Sequence, residues 1–147
     1  MHDRWTSGTL LVAGVILLGS FGDGARAQVP NDCAATKIRA TAKKATCTVS
    51  LESGPVSTGR PIDPAKTRTC EQKFESAFAR RDTRGGRDIV GDAALIEGLV
   101  DAFVADVRSQ LAIALPNRFQ AQKLRATAKM VTCLGTLAAN RAQRGER

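Results

Sequence analysis

The sequence predicts a small all-α bundle of three to four helices that form antiparallel hairpins and are stabilised by disulfides. Apolar side chains recur at spacings of three and four along most of the chain, with no convincing period-2 alternation. Capping residues and Gly/Pro clusters divide the chain into four helical segments. An even number of cysteines, four in 147 residues, is typical of a disulfide framework in a short exported chain.

An apolar run near the N-terminus predicts export. Residues 9–18 are apolar over too short a length for a membrane-spanning helix, which needs roughly 18–20 residues. Ala25 and Ala27 then occupy the −3 and −1 positions of a signal-peptidase site. We therefore predict a signal peptide over 1–27, a mature chain from Gln28 without a transmembrane span, and a secreted or periplasmic location. An uncleaved anchor is the alternative.

The composition excludes the catalytic classes that use histidine. The only His (His2) and the only Trp (Trp5) lie in the predicted signal peptide, and the chain has no Tyr. The mature chain therefore lacks the base of Ser-His-Asp and Cys-His sites and the His ligands of metals. A four-thiolate zinc site is the alternative use of the cysteines, but the sequence has no C-x-x-C pair. We predict that the chain is not an enzyme and has no catalytic residue, metal or cofactor.

The first helix is predicted from Asn31 or Asp32, both good N-caps, to about Ser53. Gly54 can adopt the left-handed C′ conformation there. Residues 54–62 are rich in Gly and Pro and are predicted to be a loop.

The second helix is predicted to open with Asp63 as N-cap and Pro64 at its first position, and to stop at Gly85-Gly86. The third begins after Asp92 and carries a broad apolar stripe. The stripe comprises Leu95, Ile96, Leu99, Val100, Phe103, Val104, Val107 and Leu111. We predict that Phe74, Phe78, Phe103 and Phe119 belong to a thin core.

The fourth helix is predicted from about Arg118, after Pro116 and the capping residue Asn117, to Asn140 or Arg141. It repeats part of the first helix. Residues 35–47 and 121–133 are identical at nine of thirteen positions, at an offset of 86 residues that aligns Cys47 with Cys133. We predict a full helical repeat unit over 28–117. Residues 118–147 are then the first helix of a truncated second repeat, with a basic tail.

Helix geometry limits how the cysteines can pair. Cys33 and Cys47 lie roughly 21 Å apart along one helix and cannot bond each other. In a hairpin of the first two helices, Cys47 and Cys70 lie at about the same height, so we predict a Cys47–Cys70 disulfide. Cys33 and Cys133 remain: they can join the first and fourth helices, or one of them can bond another molecule.

The order of these motifs is also informative. The chain runs from Cys33 through the Lys/Ala-rich segment 37–44 to Cys47, Asp63 and Cys70, then to Lys73-Phe74, Ala77-Phe78, Gly85-Gly86, Gly91-Asp92 and Ile96–Val107. This order resembles an uncharacterised Cys/Lys/Ala-rich helical repeat family of secreted proteins from environmental bacteria. The resemblance covers about 28–112 and restarts at 119–133. It implies an all-helical secreted unit and no particular activity.

One position departs from the family pattern. Arg87 stands where the family has a cysteine after Gly-Gly. The resemblance implies that this cysteine is the partner of Cys33, so in this chain Cys33 lacks it.

Charge is segregated along the chain, whose net charge is +8. Residues 28–87 and 108–147 are basic, and 88–107 hold five acidic residues and no basic one. The acidic residues are Asp88, Asp92, Glu97, Asp101 and Asp106. A solvated or helix-docking face explains them better than a metal or acid/base site does, and Asp92 is predicted to be an N-cap.

The basic helices suggest a binding surface for polyanions. Seven residues of the two similar segments are its candidates: Lys37, Arg39, Lys43, Lys44, Lys123, Arg125 and Lys129. We predict a structural or interaction module, with a polyanion-binding protein of the cell envelope or extracellular space as the alternative. The predicted partner is an unidentified protein or an anionic envelope polymer. Sequence-specific nucleic-acid recognition is not expected, because Phe is the only aromatic residue left for stacking.

Overall fold

The computed structural model describes residues 31–83, 91–111 and 117–146, which form four helices and no strand. The helices are α1 (Asp32–Thr58), α2 (Pro64–Asp82), α3 (Ala93–Gln110) and α4 (Arg118–Arg144). The predicted all-α class is therefore confirmed. The predicted signal peptide, Gly85-Gly86, Arg87, Asp88 and Pro116 lie outside the described residues. No helix within the described ranges is long and apolar enough to cross a membrane.

Helix α1 is the centre of the bundle, and the other three helices pack mainly on it. α4 runs antiparallel to α1, since Asn31 N donates to Ala142 O (3.0 Å) at one end and Asn117 N donates to Val56 O (2.7 Å) at the other. α2 is also antiparallel to α1, whereas α3 runs parallel to it. The predicted antiparallel hairpin is therefore present for α1–α2, and α1 and α4 form a second antiparallel pair although they are not consecutive in the chain.

Helix α1 continues one turn beyond its predicted end. Gly54 and Pro55 lie inside the helix, and the left-handed C-cap is Gly59 (φ 73°), whose N–H donates to Pro55 O at 2.7 Å. The extra turn is favoured because it buries Val56, which is 7% exposed. The predicted loop at 54–62 is therefore shorter than expected.

The α1–α2 hairpin contains the predicted disulfide. Cys47 and Cys70 are bonded, with their Cα atoms 6.0 Å apart. Asp63 caps α2 as predicted, accepting a hydrogen bond from Ala65 N (2.9 Å). The cysteine prediction based on hairpin geometry is confirmed.

The structure does not join Cys33 to Cys133, the intramolecular pairing that the sequence left open. The reason is the register of α1 and α4. The contact between Thr46 and Thr132 places Cys133 beside residue 45 of α1, about twelve residues from Cys33. That separation is roughly 18 Å, far beyond the Cα–Cα distance of a disulfide.

The core is thin and divided into two clusters. One joins α1, α3 and α4 around Val49, Val104 and Leu124; the other joins α1 and α2 around Phe74 and Phe78. Phe74 and Phe78 are core residues as predicted, at 2% and 1% exposed. The same prediction was wrong for Phe103 and Phe119, which are 38% and 64% exposed, because no helix of the described chain covers their faces.

Helix α4 begins at its predicted cap, where Asn117 Oδ1 accepts from Phe119 N and Gln120 N, both at 3.1 Å. It runs three to four residues beyond the predicted end, to the left-handed C-cap Gly145. Arg39 holds this last stretch on α1 by donating to Asn140 and Gln143 (3.2 and 2.8 Å).

Candidate functional site

Two lysines of the predicted polyanion-binding set are buried. Lys44 is 3% exposed, and its Nζ lies 2.5 Å from Glu97 Oε1 and 3.1 Å from Asp101 Oδ1. The ammonium group also lies 5.3 Å from the centre of the Phe74 ring, within cation–π range. Two carboxylates and an aromatic face therefore compensate for the burial of this charge.

Lys37, two helical turns earlier on α1, has a similar environment. It is 8% exposed, with Nζ 2.6 Å from Asp92 Oδ1, 2.9 Å from Asp82 Oδ1 and 5.2 Å from the centre of the Phe78 ring. Asp92 occupies the N-cap position of α3 as predicted, but its side chain makes no cap hydrogen bond. Its carboxylate is used to bind Lys37 instead.

The charges of the Lys37 cluster shift its pKa values. Burial lowers the pKa of Lys37, but the hydrogen bonds to Asp92 and Asp82 and their negative charges outweigh burial and raise it above 10.5. The hydrogen bonds from Lys37 and from Gly91 N lower the pKa of Asp82 below 3.8. Both shifts favour the charged forms, so the ion pair stabilises the fold at neutral pH.

These shifts predict how stability depends on pH. A lowered pKa of Asp82 stabilises the fold above pH 3.8, and the effect is lost as the pH falls through the folded-state value. A raised pKa of Lys37 stabilises it below pH 10.5, and this effect is lost as the pH rises further. We expect Asp82→Asn to lower the melting temperature at pH 7, and the difference from wild type to shrink as the pH falls below 3.8.

Melting curves between pH 2 and pH 7 would test this expectation. Glu75→Gln is the matched control, because Glu75 is exposed on α2 and has no ion pair among the described residues. A destabilisation by Asp82→Asn that stays constant down to pH 2 would mean that Asp82 acts by packing and not by charge.

Four other basic residues form one surface across α1 and α4, which we call the basic face: Arg39, Lys43, Arg125 and Lys129. Arg39 and Lys43 border a shallow depression together with Thr132 and Thr136 of α4. Arg125 reaches back to α1, with Nε 3.5 Å from Ser53 Oγ. Lys129 lies one turn after Arg125 and is exposed.

The basic face has an approximate two-fold symmetry. Thr46 Oγ1 and Thr132 Oγ1 lie 2.8 Å apart, and these threonines are equivalent positions of the two similar segments. Because the helices are antiparallel, equivalent residues lie on opposite sides of this pair. Arg39 and Arg125 are thus roughly 21 Å apart along the helices, and Lys43 and Lys129 roughly 9 Å apart.

No carboxylate of the described residues interrupts the basic face. α4 has six basic residues and no acidic one, and α1 has no acidic residue between Asp32 and Glu52. Glu52 points away from the face and binds Arg108 of α3 (3.2 Å). None of the four cations of the face has an ion pair within the described ranges.

The structure therefore divides the seven predicted residues into three groups. Arg39, Lys43, Arg125 and Lys129 share the basic face. Lys123 is exposed on another side of α4, with Nζ 4.7 Å from the centre of the Phe119 ring. The prediction of an exposed anion contact is corrected for Lys37 and Lys44, because acidic residues of α2 and α3 already neutralise their ammonium groups.

An apolar groove is the second notable surface. It has a volume of about 840 Å³ and is bordered by α1, α3 and α4. Ile38 and Ala42 of α1 form part of its floor, Leu99 and Phe103 part of one wall, and Leu134 part of the other. Sequence reasoning missed this groove, because an apolar stripe looks the same whether or not a neighbour covers it.

Two of the three acidic residues of α3 dock on α1. Glu97 and Asp101 both face Lys44, which agrees with the helix-docking interpretation of the acidic segment. Within the described ranges no group of three or more His, Cys, Asp or Glu side chains is placed to hold a metal ion. The sequence contained a signal for the buried lysines. Lys37 and Lys44 are seven residues apart and so share one helix face, and the acidic segment 88–107 has no basic residue of its own to pair with.

Comparisons with models of protein families, with curated proteins and with solved structures found no match to this chain.

Proposed function

We propose that the protein is an exported, disulfide-stabilised helical interaction module that binds anionic polymers through the basic face. The observation that carries this proposal is the row of four cations across α1 and α4, with no carboxylate from the described part of the chain among them. The Cys47–Cys70 disulfide is compatible with the secreted or periplasmic location predicted from the sequence.

The geometry of the row suits a linear polyanion. Along the helix axes the cations follow one another at roughly 6, 9 and 6 Å, from Arg39 through Lys43 and Lys129 to Arg125. A polymer with regularly spaced phosphate, sulfate or carboxylate groups can contact several of them at once. The face has no aromatic side chain for stacking, so recognition depends on charge and spacing and not on sequence.

The acidic residues favour a binding role over a catalytic one. Glu97 and Asp101 lie four residues apart on one face of α3, as a pair of acid/base residues would, but both bind the ammonium group of Lys44. A general acid or base needs a proton-transfer partner in a pocket, whereas these carboxylates are engaged in holding α3 on α1.

The proposal predicts a specific loss of affinity in Lys43→Gln/Lys129→Gln. With a single-stranded oligothymidine as the probe polyanion, we expect the dissociation constant to rise about tenfold at low salt. The slope of log affinity against log salt should fall by about 1.4, because two phosphate contacts are lost. Fluorescence anisotropy at several salt concentrations measures both quantities.

Lys66→Gln/Lys73→Gln is the matched control for this experiment. It removes the same charge from exposed positions of α2, away from the basic face. The two double variants must differ if the face is a site. Equal effects would show that only net charge matters, and the proposed binding surface would have to be abandoned.

A further inference from the structure

Two rows of exposed apolar side chains run along α3 and α4, and Leu99, Phe103 and Leu134 of these rows line the groove. The α3 row consists of Leu95, Leu99 and Phe103, and the α4 row of Met130, Leu134 and Leu137; each side chain is between 38% and 69% exposed. Each row follows the three- and four-residue spacing of one helix face. Apolar surfaces of this kind on a small protein mark a binding site.

The α3 row has a defined height along α1. Lys44 binds Glu97 and Asp101, so the segment of α3 between these two acids lies beside residue 44. Leu99 is the middle residue of that segment. It therefore lies at the level of Lys44.

The α4 row lies at the same height. Thr132 contacts Thr46, and α4 is antiparallel to α1, so Leu134 lies level with residue 44. Leu99 and Leu134 thus face each other across the groove at one level. Because α3 and α4 run in opposite directions at 1.5 Å per residue, further pairs match to within about one turn. These pairs are Leu95 with Leu137, Phe103 with Met130, and Asp106 with Lys123.

The two helices beside the groove differ in net charge. α3 contains three carboxylates and one guanidinium, whereas α4 contains six cations and no carboxylate. Asp106 and Lys123 are the charged residues at the same end of the two apolar rows. Both are exposed, and neither has an ion pair in the described part of the chain.

We propose that the groove binds a second copy of this chain, in a dimer whose two-fold axis runs along the groove. This axis places α3 of each copy over α4 of the other, and each residue keeps its position along the direction of the helices. The apolar rows then meet at three levels, and Asp106 approaches Lys123 of the partner subunit. The Asp106–Lys123 pair then occurs once in each half of the interface, so a charge pair accompanies the apolar contact in both halves.

The dimer is independent of the polyanion proposal. The basic face lies beside the Thr46–Thr132 contact, on the side of α4 that carries Arg125 and Lys129, whereas the groove lies on the side that carries Leu134. Loss of either activity therefore leaves the other testable.

Sedimentation velocity over a range of concentrations tests the dimer. Measurements are made in a Cys133→Ser background, which removes an exposed thiol as a source of covalent dimers. We expect a reversible dimer, and we expect Leu134→Glu to raise its dissociation constant by more than about a hundredfold. Circular dichroism shows whether the variant remains helical; Gln122→Glu adds the same charge to α4 at another exposed position and should leave the dimer intact.

A charge exchange tests the arrangement of the two copies. Asp106→Lys and Lys123→Glu are each expected to weaken the dimer about tenfold, and the double variant to restore it to within about threefold of wild type. Restoration shows that the two residues meet across the interface. A wild-type protein that stays monomeric at every concentration, or a double variant weaker than both single ones, would overturn the proposal.

Discussion

Replacing Cys47 and Cys70 together with alanine is expected to lower the free energy of unfolding by about 3 kcal/mol. The disulfide closes a loop of 23 residues, and opening it returns chain entropy to the unfolded state. The loss matters because the core is thin: among the described residues, Phe74 and Phe78 are the only buried aromatic ones. Urea denaturation followed by circular dichroism measures the change.

Two controls accompany this measurement. Cys133→Ala removes an exposed thiol outside the disulfide and should change stability by less than about 0.5 kcal/mol. Reduction of the wild-type protein should reproduce most of the loss seen in the double variant. An unfolding midpoint that stays the same after complete reduction would contradict the assigned role of the bridge.

The second large effect is expected for Gly135→Ala, which should destabilise the fold by about 1–3 kcal/mol. Gly135 lies at a close approach of α4 to α1, and an added methyl group would collide with the Cβ of Ala42. Neither side can yield easily, because Ala42 has no flexible side chain. The two helices would have to separate along their main contact.

Gly98→Ala is the matched control for this substitution. Gly98 lies within α3 and has open space where its Cβ would be, so alanine should stabilise the helix by up to about 1 kcal/mol. Thermal melting of the two variants should therefore shift in opposite directions. If Gly135→Ala were as stable as Gly98→Ala, the close α1–α4 contact could not be present in solution.

Both predictions concern α1, against which each of the other three helices packs. Its side toward α2 and α3 buries Lys37 and Lys44 against acids and phenylalanines, and its side toward α4 is lined by small residues such as Ala42 and Ala45. Removing one partner of a buried ion pair is costly because the other charge stays buried. The segment of α1 that contains these lysines is repeated in α4, where Met130 takes the place of Lys44.

The two similar helices, α1 and α4, differ in how far other helices cover them. α4 carries the helix pattern of α1 but, within the described ranges, no α2 or α3 of its own. The face that corresponds to the covered side of α1 is therefore exposed. Met130, Leu134 and Leu137 are apolar there, which makes this face suitable for a partner.

Several local features could be predicted from the sequence. Asn117 and Asp63 are N-caps as predicted, because a capping side chain acts on backbone groups two or three residues away. The pairing of Cys47 with Cys70 followed from the length of two helices and the turn between them. Gly54 was misassigned as a C-cap because the burial of Val56 against α4, a contact between distant segments, outweighs the local preference.

By itself, the sequence determined the helices, most of their caps, the hairpin disulfide and the separation of charge along the chain. Each depends on residues that are close in sequence, where spacing and side-chain chemistry are sufficient. Only the tertiary structure decided that Lys37 and Lys44 are buried in ion pairs, while Arg39, Lys43, Arg125 and Lys129 share an open face. It also decided that Leu99 and Leu134 border a groove instead of filling a core. The period of a helix reveals which side chains share a face, but the neighbour that covers that face comes from elsewhere in the chain.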